Sequence, residues 1–174
     1  MKITCRISIT RGLALVLLPV LLACALPAAN PGLRPFAAGS FPGLVAARAD
    51  RPFLLVLWSV TCVPCRQEFE MLADLRKSNP GMPLVLVSTD DVADEAVATR
   101  ILEKYGLERE ESWIFAGDAQ RLRYEIDPAW YGEMPRAYFY DASHQREAVS
   151  GSLDRARVEA WIRREQPEAA PDPT

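Results

Sequence analysis

An uninterrupted apolar run, Phe53–Trp58, passes within a few residues into a segment with helical spacing. A strand whose successive side chains are all apolar is covered on both faces, which is typical of a parallel or mixed sheet with helices packed against it. Pro64 suits the first turn of a helix, where no amide hydrogen is needed, and we predict a helix over residues 63–77. This order of elements indicates an α/β fold.

Similar apolar runs and helical segments alternate along the rest of the chain. The predicted strands are 53–58, 84–87, 113–115, 137–140 and 147–150, and the predicted helices are 63–77, 94–105 and 153–165. The residues expected on the core-facing stripes of the last two helices are Val97, Ile101, Tyr105, Val158, Trp161 and Ile162. The expected architecture is one central sheet covered by helices, an α/β sandwich.

The composition is that of a soluble globular protein. Of the 174 residues, 49% are hydrophobic and 25% are charged, which allows one domain with a proper core. A formal charge of −3 argues against a nucleic-acid partner, because proteins that bind nucleic acids are usually basic. Four cysteines are too few for a scaffold held together by disulfides, so their positions matter more than their number.

The N-terminal residues have the pattern of a secretory signal. Lys2, Arg6 and Arg11 precede an apolar run, Leu13–Leu26, and no acid interrupts either part. The run is shorter than the roughly 20 residues that a transmembrane helix needs, so a retained signal anchor is second choice to a cleaved signal. We therefore predict export, with residues 1–24 as a signal peptide or lipoprotein signal.

The end of this apolar run, Leu21–Cys24, resembles the bacterial lipobox, in which the cysteine is lipidated and becomes the mature N-terminus. Cys24 is therefore a candidate for lipidation, which would anchor the protein to a membrane. Ordinary cleavage after Ala25 or near Ala28 is the alternative.

Proline-rich stretches flank the part of the chain that is predicted to fold. Residues 25–40 carry three prolines with several alanines and glycines, a composition typical of a linker. The last stretch, 166–174, is also rich in proline and is predicted to be a flexible tail. The folded domain is then expected over residues 41–165.

Cys62 and Cys65 lie where the predicted strand ends and the predicted helix begins. The free amides at a helix N-terminus stabilise an anion and lower the pKa of a thiol there. Cys65 shares a helical stripe with Phe69 and Leu72 and is expected to face the core, which leaves Cys62 as the exposed attacking thiol and Cys65 as the resolving thiol. Two intervening residues allow a reversible disulfide, as thiol–disulfide exchange requires.

A metal site is the alternative use of these sulfurs. Structural zinc usually needs four ligands, and the predicted domain offers two cysteines and one histidine, His144. Cu(I) is a soft ion that two thiolates can hold, so a copper-handling protein is the second hypothesis.

The segment Trp58–Phe69, WSVTCVPCRQEF, resembles the active-site segment of exported thioredoxin-like proteins of the TlpA type. Gly132–Pro135, followed by a predicted strand, resembles the cis-proline loop of that family. The resemblance implies a thioredoxin-like fold, with a central mixed β-sheet flanked by helices. The helix–strand insert of the TlpA type would correspond to the helix 94–105 with the strand 113–115.

The resemblance also implies which residues contact a partner. A cis peptide bond before Pro135 would turn the backbone of Met134 toward Cys62, where it could pair with an extended substrate segment. Thr61 stands where thioredoxins carry an aromatic residue, and it is expected to contact the partner together with Trp58.

Glu68 is the expected proton acceptor for the resolving thiol. Thioredoxins carry a buried acid six residues before the first cysteine, and Val56 occupies that position here. Helical side chains lean toward the N-terminus, so the carboxylate of Glu68 can point back toward Cys65. The alternative interpretation is a solvated acid that the helix dipole favours.

The function expected from these features is that of a periplasmic thiol–disulfide oxidoreductase that acts as a reductant. Its partners would be protein disulfides, for example in cytochrome c maturation, and a membrane electron donor would recharge it. The resemblance implies no soluble cofactor and no metal. Copper-carrying proteins of the Sco type use a wider cysteine spacing and a distant histidine, a role that His144 does not obviously fill.

Overall fold

Strands and helices alternate through the part of the chain that is described by a computed structural model, residues 32–165. In chain order they are β1 (Arg34–Phe36), α1 (Ser40–Ala46), β2 (Phe53–Trp58), α2 (Val63–Ser78), β3 (Leu84–Asp91), α3 (Glu95–Tyr105), β4 (Glu111–Phe115), α4 (Ala119–Ile126), β5 (Arg136–Tyr140), β6 (Arg146–Ser150) and α5 (Arg155–Glu165). A short 3-10 helix, Val92–Asp94, joins β3 to α3.

Within residues 32–165, six strands form one mixed sheet in the order β1-β4-β3-β2-β5-β6. The first four in this order run parallel to one another, and β5 is antiparallel to both β2 and β6. All residues of β2 are buried, because this strand is central and covered on both faces. The predicted class, a central mixed β-sheet flanked by helices, is confirmed.

The core has one layer on each face of the sheet. Side chains that alternate along β2 enter opposite layers: Leu54, Val56 and Trp58 pack with residues of α2, α3 and α5. The other three side chains of β2 pack with residues of α1 and α4. This two-sided burial follows from the period of two along a strand and explains why the run contains no polar residue.

The folded part of the chain begins earlier than predicted. β1 lies inside residues 25–40, the predicted linker, and pairs with β4. Phe36 is 1% exposed and its ring stacks on that of Phe115, so the linker prediction is wrong from residue 34 onward. Pro35 belongs to an edge strand, a position where a missing amide hydrogen is tolerated.

The core-facing side of α3 also differs from the prediction. Val97 is 38% exposed, whereas Ala98 and Leu102 are buried. Ile101 and Tyr105 are partly buried at the edge of the core. The stripe is therefore centred on a small alanine that an aliphatic pattern does not reveal. The three core residues predicted for α5 are all buried.

The predicted signal, residues 1–24 with Cys24, and the predicted tail, residues 166–174, lie outside the described residues. Between residues 32 and 165, no helix is both long and apolar enough to cross a membrane.

The strand register brings distant parts of the chain to one end of the sheet. Leu57, near the end of β2, pairs with Arg136, at the start of β5. Because β5 runs antiparallel to β2, the residue before it, Pro135, lies at the same end of the sheet as Cys62. Ser150, at the end of β6, is paired with Arg136 and lies there as well.

Candidate active site

The two cysteines of the motif are joined in a disulfide at the start of α2, with an S–S distance of 2.05 Å. Cys62 is the N-cap of the helix, and the backbone N–H of Cys65 donates to its Sγ at 3.3 Å. Cys62 is partly exposed, whereas Cys65 is 1% exposed. In the reduced protein the amides at the start of this helix would favour the thiolate of Cys62.

Glu68 lies one helical turn after Cys65 and is 5% exposed, so its interpretation as a solvated acid is wrong. Its Oε1 accepts a hydrogen bond from the backbone N–H of Leu153 at 2.6 Å, and the side chain of Ser152 also hydrogen-bonds to it. Oε2 is buried and has no hydrogen-bond partner within residues 32–165. Side chains three positions apart on a helix are neighbours, which places this carboxyl group close to the buried sulfur.

Burial raises the pKa of Glu68, and the hydrogen bonds from Leu153 and Ser152 only partly oppose the effect. A raised pKa brings this carboxyl group closer to the pKa of a thiol, which favours proton exchange between the two.

The loop between β2 and α2 is held by an acid that the sequence analysis did not identify. The carboxylate of Asp90, on β3, accepts hydrogen bonds from the backbone N–H of Val60 at 2.8 Å and from Ser59 Oγ at 2.9 Å. Ser59 Oγ in turn lies 3.0 Å from Oγ1 of Thr61. Thr61 is exposed beside Cys62, so its predicted contact with a partner is sterically available.

Trp58 does not lie at the surface. It is fully buried and packs edge-to-face against Phe69, with ring centroids 5.0 Å apart. The expectation that Trp58 contacts a partner is therefore wrong for this structure, because strand alternation directs its side chain into the core with Val56.

The loop before β5 ends in a cis peptide bond between Met134 and Pro135. Two hydrogen bonds hold the loop: the indole N–H of Trp130 donates to the carbonyl of Glu133, and the backbone N–H of Gly151 donates to the carbonyl of Pro135, each at 2.9 Å. Between these points, the backbone N–H and C=O of Met134 have no hydrogen-bond partner within residues 32–165. Such free groups can pair with an added extended segment.

A buried ionic network supports this loop. Arg136 donates to Asp127 at 2.8 Å and to Glu133, within the loop, at 3.2 Å. The hydroxyl of Tyr138 donates to the same oxygen of Asp127 at 2.9 Å. Burial alone would raise the pKa of Asp127, but the hydrogen bonds from Ala129, Tyr138 and Arg136 outweigh it and lower the pKa.

Local sequence patterns indicate the roles of Asp90 and of this network only weakly. An acid near the end of an apolar strand, or an arginine at the start of one, is common at ordinary strand ends. Their roles depend on which strands are neighbours, and that follows from the sheet order rather than from local spacing.

The histidine considered as a metal ligand is remote from the sulfurs. His144 follows β5 at the opposite end of the sheet, where its ring lies edge-on to Phe53, the first residue of β2, and its Nε2 lies 2.8 Å from the carbonyl of Arg48. The length of β2 alone, about 17 Å, separates it from Cys62. Among residues 32–165, no group of three or more His, Cys, Asp or Glu side chains could hold a metal ion.

No protein-family model matches the sequence, and neither does any curated protein. Solved structures do match. A secreted disulfide oxidoreductase of Mycobacterium tuberculosis is 18% identical with a TM-score of 0.53, and the match covers 67% of this chain and 84% of that one. A DsbF homologue of Corynebacterium diphtheriae is 17% identical with a TM-score of 0.56, covering 68% and 74%.

The thioredoxin domain of a thiol-disulfide oxidoreductase from Bacteroides vulgatus gives a similar result, with 18% identity, a TM-score of 0.55 and coverage of 68% and 84%. At these identities the likeness concerns the fold. The chain has a thioredoxin-like fold of the kind found in thiol:disulfide oxidoreductases, with a Cys-x-x-Cys pair at the start of α2.

Proposed function

We propose that this protein is an exported thiol–disulfide oxidoreductase that reduces disulfides in protein partners. The observation that carries the proposal is the layered arrangement at the start of α2. A partly exposed sulfur, Cys62, lies above a buried sulfur, Cys65, and a buried carboxyl group, Glu68, lies one turn below. Thiol–disulfide exchange needs these three parts: an attacking thiolate, a shielded resolving thiol and a proton acceptor.

The reaction starts from the dithiol form. The thiolate of Cys62 attacks one sulfur of the partner disulfide, so that a Cys62–partner bond forms and the partner S–S bond breaks. The electron pair of the broken bond leaves on the second partner sulfur, which takes a proton from solvent. The amides at the start of α2 favour the attacking thiolate.

The second step releases the partner. Cys65 transfers its proton to the carboxylate of Glu68 and attacks the sulfur of Cys62, and the bond to the partner breaks with its electron pair on the partner sulfur. That sulfur then takes up a proton. The partner has gained two electrons and two protons, and the protein ends with the Cys62–Cys65 disulfide seen in the structure.

The partner is held by backbone pairing at the cis-proline loop. The free N–H and C=O of Met134, beside Pro135, would add an extended partner segment next to Cys62. Thr61, exposed directly before Cys62 in the chain, would contact the same segment.

The cellular setting rests on the sequence and on the likeness to a secreted disulfide oxidoreductase. Residues 1–24 would direct export to the periplasm, and lipidation of Cys24 would tether the protein to a membrane. One matching structure is described as secreted. A membrane electron donor would return the disulfide to the dithiol, and maturation of cytochromes c is one process that consumes such electrons.

Trapping of mixed disulfides tests the proposed exchange reaction. In a Cys65→Ser variant the second step is blocked, so we expect mixed disulfides through Cys62 to accumulate in cells and to disappear on reduction. A Cys62→Ser variant is the matched control and should trap nothing. Absence of adducts, together with no two-electron couple in a redox titration, would contradict the proposal.

Two further measurements distinguish a reductant from an oxidant, and a disulfide oxidoreductase from a copper carrier. A reduction potential well below about −200 mV supports a reductant, whereas oxidants have higher values. Stoichiometric Cu(I) binding that is lost in Cys62→Ser, without disulfide exchange, would favour the copper-carrier hypothesis instead.

A further inference from the structure

A groove lies between α4 and the loop that precedes the cis-proline loop. Its volume is about 320 Å³. The groove is lined by Gln120, Arg123, Tyr124, Pro128, Trp130 and Tyr131. We call it the tyrosine groove. Neither the disulfide nor Glu68 contributes to it, so the chemistry of the cysteine pair does not account for it.

The walls of the tyrosine groove are aromatic and exposed. Tyr131 is 91% exposed and Tyr124 is 66% exposed, the highest values among the large hydrophobic side chains of residues 32–165. The floor is rigid by contrast, because Trp130 is 4% exposed and its indole N–H is bound to the carbonyl of Glu133. Exposed aromatic side chains beside a fixed apolar floor are typical of a site that binds another molecule.

The charge of the tyrosine groove is positive. The guanidinium of Arg123 has no ion-pair or hydrogen-bond partner within the described chain. Nearby acids are engaged elsewhere: Glu125 accepts from the backbone N–H of Gly39, and Asp127 is bound to Arg136. An uncompensated arginine in a chain of net charge −3 is complementary to a carboxylate.

The tyrosine groove is continuous with the cis-proline loop. The side chain of Arg123 lies against Gly132, where an added Cβ would be 3.4 Å from its Cδ and Nε. Gly132 has a φ of 98°, which favours glycine. Pro135 lies three positions after Gly132, a span of at most about 10 Å, and the free backbone groups of Met134 lie between them. An extended segment paired with Met134 can therefore continue over Gly132 into the groove.

We propose that the tyrosine groove binds the segment that flanks the target cysteine of the partner protein, and that it selects an acidic segment with an aromatic or large apolar side chain. The carboxylate pairs with Arg123, and the apolar side chain packs between Tyr124 and Tyr131. The inference rests on the proposed function and names the class of partner sequence that the same site prefers.

Peptide disulfides of matched sequence test the preference. Each peptide carries a disulfide and, a few residues away, Phe beside either Glu or Lys. Reduced wild-type protein should react with the Glu peptide several-fold to about tenfold faster than with the Lys peptide. Arg123→Glu should reverse the order, whereas Arg123→Lys, which keeps the positive charge, should retain it. Tyr124→Ala and Tyr131→Ala should slow both peptides.

The controls separate recognition from chemistry. Arg109, exposed and unpaired before β4, lies away from the tyrosine groove, so Arg109→Glu should keep the wild-type preference. Hydroxyethyl disulfide, a small neutral probe, should react with all these variants at rates within about twofold of wild type. Equal rates with both peptides, or equal effects of Arg123→Glu and Arg109→Glu, would overturn the inference.

A binding measurement keeps the inference distinct from the proposed function. A fluorescent, cysteine-free copy of the Glu peptide should bind the disulfide form of the protein and lose affinity in Arg123→Glu. If this holds while no disulfide reacts, the proposed function fails and the peptide site stands. If the peptide does not bind and Tyr131→Ala instead abolishes a dimer in sedimentation, the groove serves a second copy of the chain and the inference is wrong.

Discussion

At the residue scale, the burial of Glu68 connects stability with chemistry. A carboxyl group at 5% exposure with one oxygen lacking a partner costs stability when it is ionised. The same burial raises its pKa and suits it to exchange a proton with the neighbouring thiol. Because Glu68 lies three positions after Cys65, the closeness of its carboxyl group to that thiol could be predicted from helical spacing alone.

Removal of the carboxyl group should slow the resolving step. We expect Glu68→Gln to lengthen the lifetime of the mixed disulfide by at least about tenfold, since a positioned base contributes about 10²-fold or more. Rapid acid quenching of the reaction with a peptide disulfide measures this lifetime. Glu70→Gln is the control, because Glu70 is exposed on the same helix. Equal lifetimes in the two variants would contradict the role of Glu68.

The same residue should make stability depend on pH. A folded-state pKa above the unfolded value means that folding favours the protonated form, so this contribution is complete below the unfolded pKa and is lost as the pH rises through the folded pKa. The free energy of unfolding of the wild type, relative to Glu68→Gln, should therefore fall as the pH rises from the unfolded pKa of about 4.3 through the raised pKa of the folded state. The expected fall is about 1.4 kcal/mol for each unit by which the pKa is raised. Urea unfolding at several pH values measures it, and a difference that rises with pH would show the opposite sign.

At the element scale, the start of β5 depends on contacts that join several elements. Arg136 connects the end of α4, through Asp127, with the cis-proline loop, through Glu133, and with β6, through Ser150. These contacts could not be predicted from the sequence, because the partners are distant in the chain and meet only through the strand register. The edge strand β1 was missed for a different reason: it is short, contains a proline and has the composition of a linker.

Breaking this network should destabilise the fold more than breaking a surface pair does. We expect Arg136→Met to lower the free energy of unfolding by about 3 kcal/mol, because Asp127 is left as a buried charge, with Arg146 at 3.2 Å as its remaining ion-pair partner. Arg155→Met, which breaks an exposed pair with Asp74, should cost less than about 1 kcal/mol.

A double variant tests whether the cost of Arg136→Met comes from the stranded charge. Asp127→Asn added to Arg136→Met should recover part of the lost stability in a double-mutant cycle. Equal losses in the two arginine variants, or strict additivity in the cycle, would contradict the account of the network. Urea unfolding measures all five proteins: the wild type, the three single variants Arg136→Met, Asp127→Asn and Arg155→Met, and the double variant.

At the scale of the whole molecule, the sheet gathers the candidate site at one end from four separate parts of the chain. Cys62 follows β2, Asp90 lies near the end of β3, Pro135 precedes β5 and Leu153 follows β6. The cysteine pair and Glu68 belong to one continuous segment and could therefore be predicted from local spacing. The supports of the site come from the other strands, so they emerge only once the strand order is known.

The proposed direction of electron flow predicts which redox form of the whole molecule is the more stable. A strong oxidant owes its high potential to a stabilised dithiol form, so a reductant should have the more stable disulfide form. We expect the oxidised protein to unfold at a higher urea concentration than the protein kept reduced with dithiothreitol. A Cys62→Ala/Cys65→Ala variant, unfolded with and without dithiothreitol, controls for effects of the reagent itself.

Each tenfold difference between the folding constants of the two forms corresponds to about 30 mV, so the unfolding curves and a direct redox titration must agree. A more stable reduced form would indicate that the protein oxidises its partners, with the same residues in the same places and the electrons moving the other way.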